Sequence, residues 1–257
     1  MKNKKFLLLA GFFVLIGLFL PACSTMEKAK EKPRQSLFIA VDVSGSFFNT
    51  GVFNDAIDFL SIYIYAKLHG LGGLSMPKSM FVGSVGADNP DDPSAFHPIH
   101  DFQDKSVEQI KTSLFDWFPK SNRLTDFNVF FEKVADIVKK YNLVLAPTSI
   151  VLVSDGIQDT KGISDSRDEN IYKGIHFSAL EYLARNITVR LLYPTPKIAD
   201  NWENLIKRKR VRFWSVEREV MAGWHHQYQS GLPIEQQDKL FKWIKDNVDF
   251  RVKVRRL

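Results

Sequence analysis

Residues 36–46 read SLFIAVDVSGS, an apolar run that ends in an acidic residue and two serines. The run has the length and composition of a buried parallel strand. In an open α/β sheet, ligands bind beyond the carboxyl ends of the strands, where Asp42, Ser44 and Ser46 would then lie. One carboxylate and two hydroxyls at alternate positions form either an ordinary polar turn or half of a metal site. The choice between these interpretations depends on the rest of the chain.

Segments of strand length alternate with segments of helical period along the chain. The predicted strands are 36–43, 78–86, 148–156, 187–194 and 211–217. A further segment, 95–102, is predicted to pair as an antiparallel edge strand, where Pro98 is tolerated. The predicted helices are 52–70, 106–118, 126–142, 176–186, 197–209 and 233–248. This alternation predicts an α/β fold with a doubly wound, mostly parallel sheet, one antiparallel edge strand and helices on both faces.

The first 22 residues differ in composition from the rest. MKNKK is basic, FLLLAGFFVLIGLFL is apolar, and LPAC (20–23) closes the segment. This closing sequence resembles the lipobox of bacterial lipoproteins, and it contains the only cysteine of the chain. The resemblance implies a signal peptide over 1–22, cleavage before Cys23, and acylation of the Cys23 thiol and new amino terminus, which anchors a protein stably. The alternative is an uncleaved membrane anchor in which Cys23 is incidental. Both place the remaining chain outside the cytoplasm.

The mature chain is expected to consist of a tether, one domain and a short basic end. Residues 23–35 are polar after the cysteine and predict a lipidated flexible tether, about 20 Å long as a random coil. The domain is expected over 36–250, followed by the basic segment 251–257. Loss of the signal peptide lowers the formal net charge from +6 to +3, which does not favour a nucleic acid as partner. With Cys23 acylated no disulfide can form, so the core must stabilise the domain.

Two further segments carry candidate ligands for a metal. Thr125 lies at the start of a predicted helix, and Asp155 directly follows the apolar run IVLV. Each has an ordinary explanation, since Thr125 could cap its helix, Asp155-Gly156 could form a tight turn, and the DVSGS hydroxyls could satisfy backbone groups. We expect the three segments to meet at one edge of the sheet.

Together the three segments resemble the von Willebrand factor A-type (VWA) domain and its metal-ion-dependent adhesion site (MIDAS). That family has Asp-x-Ser-x-Ser after the first strand, a Thr in a second loop and an Asp in a third. The matching residues here are Asp42, Ser44, Ser46, Thr125 and Asp155. The resemblance covers roughly residues 36–250. The chain departs from the pattern at two places. Arg123 and Leu124 precede the threonine, where glycine is usual, and the bulky Phe47 and Phe48 follow DVSGS.

The resemblance implies one bound divalent cation, Mg²⁺ or Mn²⁺, because carboxylate and hydroxyl oxygens are hard ligands that suit these ions. It also implies a coordination position that takes an acidic side chain of a partner protein. The expected protein is thus a lipid-anchored VWA protein of the cell envelope that serves adhesion or the assembly of an envelope complex. Ser24 after the cysteine resembles the residue at that position in lipoproteins sorted to an outer membrane. This favours the periplasmic side of the outer membrane over the inner membrane as the location.

Other functions remain as alternatives. A metal-assisted hydrolase needs a base or nucleophile beside the ion, and the sequence places no His, Lys or Cys near the three segments. A VWA scaffold with a non-functional metal site is a second alternative. A solute-binding protein usually needs two lobes, and only one domain is predicted. The expected protein is not an enzyme.

Four other features have an ordinary interpretation that we prefer. The segment 87–101 is expected to be a solvated loop rather than a second cation site, although it contains Asp88, Asp91, Asp92, His97, His100 and Asp101. The pair His225-His226 is expected at the surface or partly packed. The basic clusters are expected to be solvated rather than bound to anionic lipid, and they lie at 207–212 and 251–256. The core is expected to contain Trp202, Trp214 and Trp243.

Overall fold

The computed structural model describes residues 35–85, 96–119, 124–159, 167–183 and 186–250. The predicted signal peptide, the lipidated Cys23 and the basic segment 251–257 lie outside the described residues, as does the tether up to residue 34. The described residues belong to one compact unit. Within these ranges, no helix combines the length and the apolar character that crossing a membrane requires.

Six strands form one sheet in the order β3-β2-β1-β4-β5-β6. Only the β2–β3 pair is antiparallel, and the other neighbouring strands run parallel. The strands are β1 Gln35–Asp42, β2 Pro77–Val85, β3 Phe96–Pro98, β4 Thr148–Val153, β5 Ile187–Leu192 and β6 Arg212–Val216. From β1 the chain builds outward to β3 on one side and from β4 to β6 on the other. The strand order therefore reverses between β1 and β4, and this point is where such sheets form a ligand crevice.

Both faces of the sheet are covered. In β1, Leu37, Ile39 and Val41 belong to one core, while Phe38 and Ala40 belong to the other. This alternation follows from the period of two in a strand, and burial on both sides explains why β1 reads as a continuous apolar run. The predicted doubly wound fold, including its antiparallel edge strand, is confirmed.

The helices pack on both faces of the sheet. The described helices are α1 Gly45–Asn49, α2 Phe53–His69, α3 Val107–Trp117, α4 Phe127–Lys140, α5 Glu169–Lys173, α6 Ser178–Glu181, α7 Pro196–Leu205, α8 Arg218–Met221 and α9 Asp238–Asn247. Short 3₁₀ turns occupy Leu71–Gly73, Ile99–Asp101, Ala222–His226 and Ile234–Gln236. The buried apolar residues of α2, α3 and α9 belong to one core, and those of α4, with Ile198 and Trp202 of α7, belong to the other.

Local signals explain where the longer helices begin and end. Gly70 ends α2 in the left-handed conformation, with φ of 64° and its N–H donating to the Ala66 carbonyl, as the sequence predicts. Ser106 and Gln109 form a capping box at the start of α3. Thr195 caps α7, and Pro196 occupies its first turn, where a missing N–H costs nothing.

The sequence predicts two helices differently from the structure. The segment 176–186 contains only the four-residue helix α6 among its described residues, and Tyr182 just beyond it is largely exposed. The segment 233–248 is divided at Gln237, whose buried side chain accepts from Gln229 N and donates to the Gln229 and Leu232 carbonyls. These bonds hold the chain in a tight loop just before α9.

The tryptophan prediction is wrong at one of its three positions. Trp202 is fully buried and Trp243 packs partly buried against the core, but Trp214 is 42% exposed. Trp214 lies on the edge strand β6, where the Phe250 ring packs edge-on against it, with ring centroids 4.7 Å apart. Trp224, which the sequence does not single out for the core, is buried.

The acidic loop and the histidine pair give little reason to expect a second metal site. Asp88, Asp91 and Asp92 lie outside the described residues. Within the described part, His97 Nδ1 lies 3.3 Å from Asp101 Oδ2, and no three His, Cys, Asp or Glu side chains gather there as metal ligands. The His225 side chain is about half exposed and pairs with Asp55. His225 is therefore partly packed, as predicted.

Candidate metal centre

The first loop of the candidate site begins where β1 ends. Asp42 is fully buried, and its Oδ1 accepts a hydrogen bond from Ser44 N at 2.9 Å. Ser44 caps α1, because its Oγ accepts from Phe47 N at 3.4 Å. The Oγ atoms of Ser44 and Ser46 lie 3.0 Å apart. The ordinary interpretation of DVSGS as a capped turn is therefore correct in part, and the same turn brings the carboxylate and both hydroxyls to the sheet edge.

The third loop meets the first across the β1–β4 boundary. Ser154 Oγ donates to Asp42 Oδ2 at 2.5 Å and accepts from Gly156 N at 2.9 Å. Asp155 Oδ1 accepts from Ile157 N at 3.0 Å. Because β1 and β4 are adjacent and parallel, the carboxylates of Asp42 and Asp155 lie close enough for the charge of Asp42 to raise the pKa of Asp155.

The second loop supplies Thr125, which does not cap its helix. Asp126 caps α4 instead, since its Oδ1 accepts from Asn128 N at 2.9 Å and Val129 N at 3.2 Å. Asp159 N donates to the Thr125 carbonyl at 2.9 Å, which ties the second loop to the third. Thr125 is fully buried. Its hydroxyl lowers the pKa of Asp42, yet among the described residues Thr125 Oγ1 completes no hydrogen bond of ordinary geometry.

Burial dominates the electrostatics of the site. It raises the pKa of Asp42, while hydrogen bonds from Ser154 and Ser44, and to a smaller extent the nearby Thr125 hydroxyl, oppose that shift. Burial, followed by the charge of Asp42, raises the pKa of Asp155 to about 7. The Ile157 amide, the Ser46 hydroxyl and the charge of Arg218 lower it in part. Two buried carboxylates near each other are costly when both are charged, and a divalent cation between them would remove that cost.

The five candidate ligands thus lie together in the folded chain. Asp42 accepts a hydrogen bond from Ser44 N, the Thr125 hydroxyl lowers the pKa of Asp42, and the charge of Asp42 raises the pKa of Asp155. Ser46 Oγ lies 3.0 Å from Ser44 Oγ, and the Ser46 hydroxyl lowers the pKa of Asp155. The donor set of two carboxylates and three hydroxyls, with one buried hydroxyl left unsatisfied, fits a hard divalent cation. Their role as ligands remains a prediction.

The two bulky residues after the motif do not obstruct the site. Phe47 is fully buried, with its ring centroid 6.0 Å from that of Phe53 and 6.3 Å from that of Tyr193. Phe48 stacks on Phe53 with centroids 3.8 Å apart. Both rings therefore pack under the loop. Leu124, before the threonine, is 43% exposed, and Arg123 lies outside the described residues.

A cavity of about 320 Å³ opens beside Ser46 and Asp155. Three basic residues line it, and they are Arg167, Lys197 and Arg218. Sequence reasoning misses all three because they come from separate loops and helix starts and belong to no motif. It also expects no lysine near the site, and Lys197 corrects that expectation.

The strand order, the helices on both faces and the three loops at the reversal point form a doubly wound, VWA-like fold. This is the fold that the resemblance of the sequence implies.

No protein-family model and no curated protein matches the chain. Proximal thread matrix protein 1 of the mussel byssus is similar in structure, with 10% identity, a TM-score of 0.42, and 84% of this chain and 48% of that chain covered. The pilus adhesin SpaC of Lactobacillus rhamnosus GG is 12% identical with a TM-score of 0.44, and the match covers 83% of this chain and 30% of SpaC. The SpRpn10 VWA domain is 11% identical with a TM-score of 0.43, and the match covers 86% of this chain and 98% of that domain.

This chain thus spans about half of the mussel protein and less than a third of SpaC. One structure of the mussel protein is described as having a zinc-occupied MIDAS motif. Because the identities are near one tenth and the TM-scores lie below 0.5, no functional argument rests on these likenesses.

Proposed function

We propose that this domain binds one divalent cation, Mg²⁺ or Mn²⁺, through Asp42, Ser44, Ser46, Thr125 and Asp155, and that the ion binds an acidic side chain of a partner protein. The observation that carries the proposal is the buried, unsatisfied Thr125 hydroxyl beside two buried carboxylates. A buried hydroxyl without a partner costs about 1–3 kcal/mol. A cation would recover that cost and separate the two negative charges.

The donor set also explains why the ion would bind an outside carboxylate. Three of its five side chains are neutral hydroxyls, so the protein supplies little negative charge. An ion held in this way stays electron-poor and attracts a further anionic oxygen. Ser46 and Asp155 line a cavity at the surface, which gives a partner side chain a route to the ion.

We assign the domain to binding proteins rather than enzymes. Metal-assisted hydrolysis needs a base or nucleophile beside the ion. In the described part of the chain, neither His nor Cys lines the cavity beside the site, and the basic residues there are Lys197 and two arginines. Turnover of phosphoester or ester substrates by the purified protein, lost in Asp42→Ala, would favour the hydrolase instead.

We also propose that the protein acts at the cell envelope, in adhesion or in the assembly of an envelope complex. The support is the LPAC sequence at 20–23 and the polar residues after it. Gln35 begins β1 and Asp42 ends it. The first described residue therefore lies at the end of β1 opposite Asp42.

The metal proposal is tested by calorimetric titration of the mature chain with Mn²⁺ and Mg²⁺. Asp42→Ala and Asp155→Ala should abolish measurable binding while circular dichroism stays that of a folded domain. A matched control is Asp136→Ala, which removes an exposed carboxylate on α4 and should leave the affinity unchanged. Unchanged affinity in the two site variants would refute the proposal.

A further inference from the structure

The cavity beside the metal site has a wall of positive charge that the five ligands do not use. Ser46 and Asp155 line one part of the cavity, and Arg167, Lys197 and Arg218 line another. We propose that this cavity is a second anionic subsite, which takes an additional carboxylate of an acidic partner peptide next to the carboxylate bound by the metal. This inference rests on the proposed metal-dependent function, whose partner class it narrows to segments with clustered acidic residues.

Arg218 is held at the cavity by the fold and is only partly used there. It follows β6 as the first residue of α8, and its N–H donates to the Pro194 carbonyl at 3.0 Å, just after β5. Its charge acts on Asp155. The Arg218 Nε is buried and has no hydrogen-bond partner among the described residues. Arg218 lines the cavity and is only partly buried, so its guanidinium can bind a carboxylate of a partner.

The start of α7 adds positive potential to the same wall. Thr195, Lys197 and Ile198 of its first turn line the cavity. The free N–H groups of a helix start carry a partial positive charge that favours anions. A lysine at such a position is unfavourable by itself, and the first turn of α7 contains no acidic residue to compensate it. An anionic ligand would satisfy both the helix start and Lys197.

The charges around the cavity favour an anion after the metal has bound. Among the described residues, Asp155 is the only acidic one that lines the cavity, and Asp155 would then be a ligand of the ion. The volume of about 320 Å³ is at the lower end for ligand pockets, about 300–1,000 Å³, and suits a side chain of a peptide rather than a large cofactor. A single acidic side chain would occupy the metal and leave this cavity empty.

The test compares two capped peptides of equal length, one with a single aspartate and one with three consecutive aspartates. Binding is measured at saturating Mn²⁺ and low ionic strength. The three-aspartate peptide should bind the unmodified protein about tenfold more tightly, since each partly exposed ion pair contributes about 0.2–1 kcal/mol beyond the statistical advantage. In Arg218→Gln with Lys197→Gln, measured at Mn²⁺ concentrations that saturate the variant, the ratio should fall towards the statistical value of about three.

A matched control removes two positive charges at the opposite edge of the sheet. Lys209→Gln with Arg210→Gln changes exposed residues between α7 and β6 and should leave the tenfold ratio intact. An equal ratio in the unmodified protein and the Arg218/Lys197 variant would overturn the second subsite while the metal proposal stands. Failure of Mn²⁺ to bind the unmodified protein would instead overturn the proposed function.

Discussion

The hydroxyls of Thr125 and Ser154 both act on Asp42, but they differ in what else they bind. Ser154 Oγ donates to Asp42 Oδ2 and accepts from Gly156 N, so its bonding capacity is used within the protein. Thr125 Oγ1 is buried without a partner among the described residues. Ser154 thus fixes the Asp42 carboxylate, whereas Thr125 has an oxygen available for a ligand.

Replacing Thr125 by Val should separate these two roles. The change keeps the shape and removes a hydroxyl that costs about 1–3 kcal/mol when unsatisfied. We expect Mn²⁺ affinity to fall at least tenfold, while the free energy of unfolding measured in chelator stays equal or rises. Ser154→Ala should instead lower that free energy by about 1–3 kcal/mol, because it leaves Asp42 Oδ2 buried and unsatisfied. Equal destabilisation by both changes would contradict this distinction.

The raised pKa of Asp155 predicts a pH dependence. The pKa rises from its ordinary value of 3.8 to about 7 in the folded, metal-free domain. Between these values the folded state holds a proton that the unfolded state has released, so the free energy of unfolding falls as the pH rises. Mn²⁺ must displace this proton, so its affinity should rise with pH up to about 7 and then level off. Urea denaturation and Mn²⁺ titration from pH 5 to 8 would measure both trends.

Asp155→Asn provides the control for this pH dependence. The variant has no titrating carboxyl group at this position, so its free energy of unfolding should vary less with pH over the same range. An Mn²⁺ affinity that does not change between pH 5 and 7 in the unmodified protein would contradict the assignment.

At the scale of elements, α7 supports the third loop from below. Trp202 lies in α7 and is fully buried, and its Nε1 donates to the Gly156 carbonyl at 2.8 Å. Gly156 has φ of +81°, and a Cβ there would lie 2.8 Å from Leu191 Cδ2 and 3.0 Å from Ile198 Cγ2. The loop that carries Asp155 therefore needs glycine both for its backbone conformation and for the close approach of β5 and α7.

Gly156→Ala should destabilise the domain by about 2–5 kcal/mol, from a left-handed backbone and overpacking together. It should also weaken Mn²⁺ binding, because the clash displaces the loop next to Asp155. Gly51→Ala is a matched control, since Gly51 has φ of +76° but open space around its Cβ position. Gly51→Ala should cost only about 1–2 kcal/mol and leave Mn²⁺ affinity unchanged. Thermal and urea unfolding would compare the two variants.

The sequence predicts the elements whose signals are local and strong. β1 and β4 are apolar over their whole length, and α2 ends at the glycine that the pattern indicates. The short helices α1, α5 and α8 are not predicted, because four or five residues carry little periodicity. Trp214 misleads because an aromatic residue on an edge strand needs cover from only one neighbour.

The candidate site divides in the same way. The resemblance to the VWA family indicates its five candidate ligands, since the sequence keeps their residue types and order. Nothing local indicates Arg218 or Lys197, because they reach the cavity only through the positions of β6 and α7. Nor does the sequence indicate that the Thr125 hydroxyl has no hydrogen-bond partner among the described residues, since this depends on Asp126 serving as the cap of α4.

At the scale of the whole molecule, the end of the described domain is fastened to α2 and the sheet. Lys67 is fully buried, and its Nζ lies 2.9 Å from Asp249 Oδ2. Tyr63 OH donates to Asp249 Oδ1 at 3.1 Å, and Arg190 donates to the Phe250 carbonyl at 2.8 Å. These polar contacts close the lower part of the core where the predicted domain ends.

Lys67→Met should lower the free energy of unfolding by about 3–5 kcal/mol, because it leaves the Asp249 carboxylate buried without its partner. Adding Asp249→Leu to Lys67→Met should recover much of that loss, because no unpaired charge remains. Urea denaturation of both single variants and of the double variant measures the difference. A double variant as unstable as the sum of its single changes would contradict the pairing. Lys111→Met is a control, since its pair with Asp58 is partly exposed and should be worth less than about 1 kcal/mol.

The position of β1 determines how the domain would carry a pulling force between the proposed anchor and the proposed partner. Gln35, the first described residue, and Asp42, at the candidate metal site, are the two ends of the same strand. β1 is bonded along its length to β2 on one side and β4 on the other, both parallel. If the proposed anchor and the proposed partner pulled against each other, tension between Gln35 and Asp42 would run along the covalent backbone of β1, and the share borne by Asp155 would load the β1–β4 ladder in shear. The central strand would then carry the load directly between the two proposed attachments.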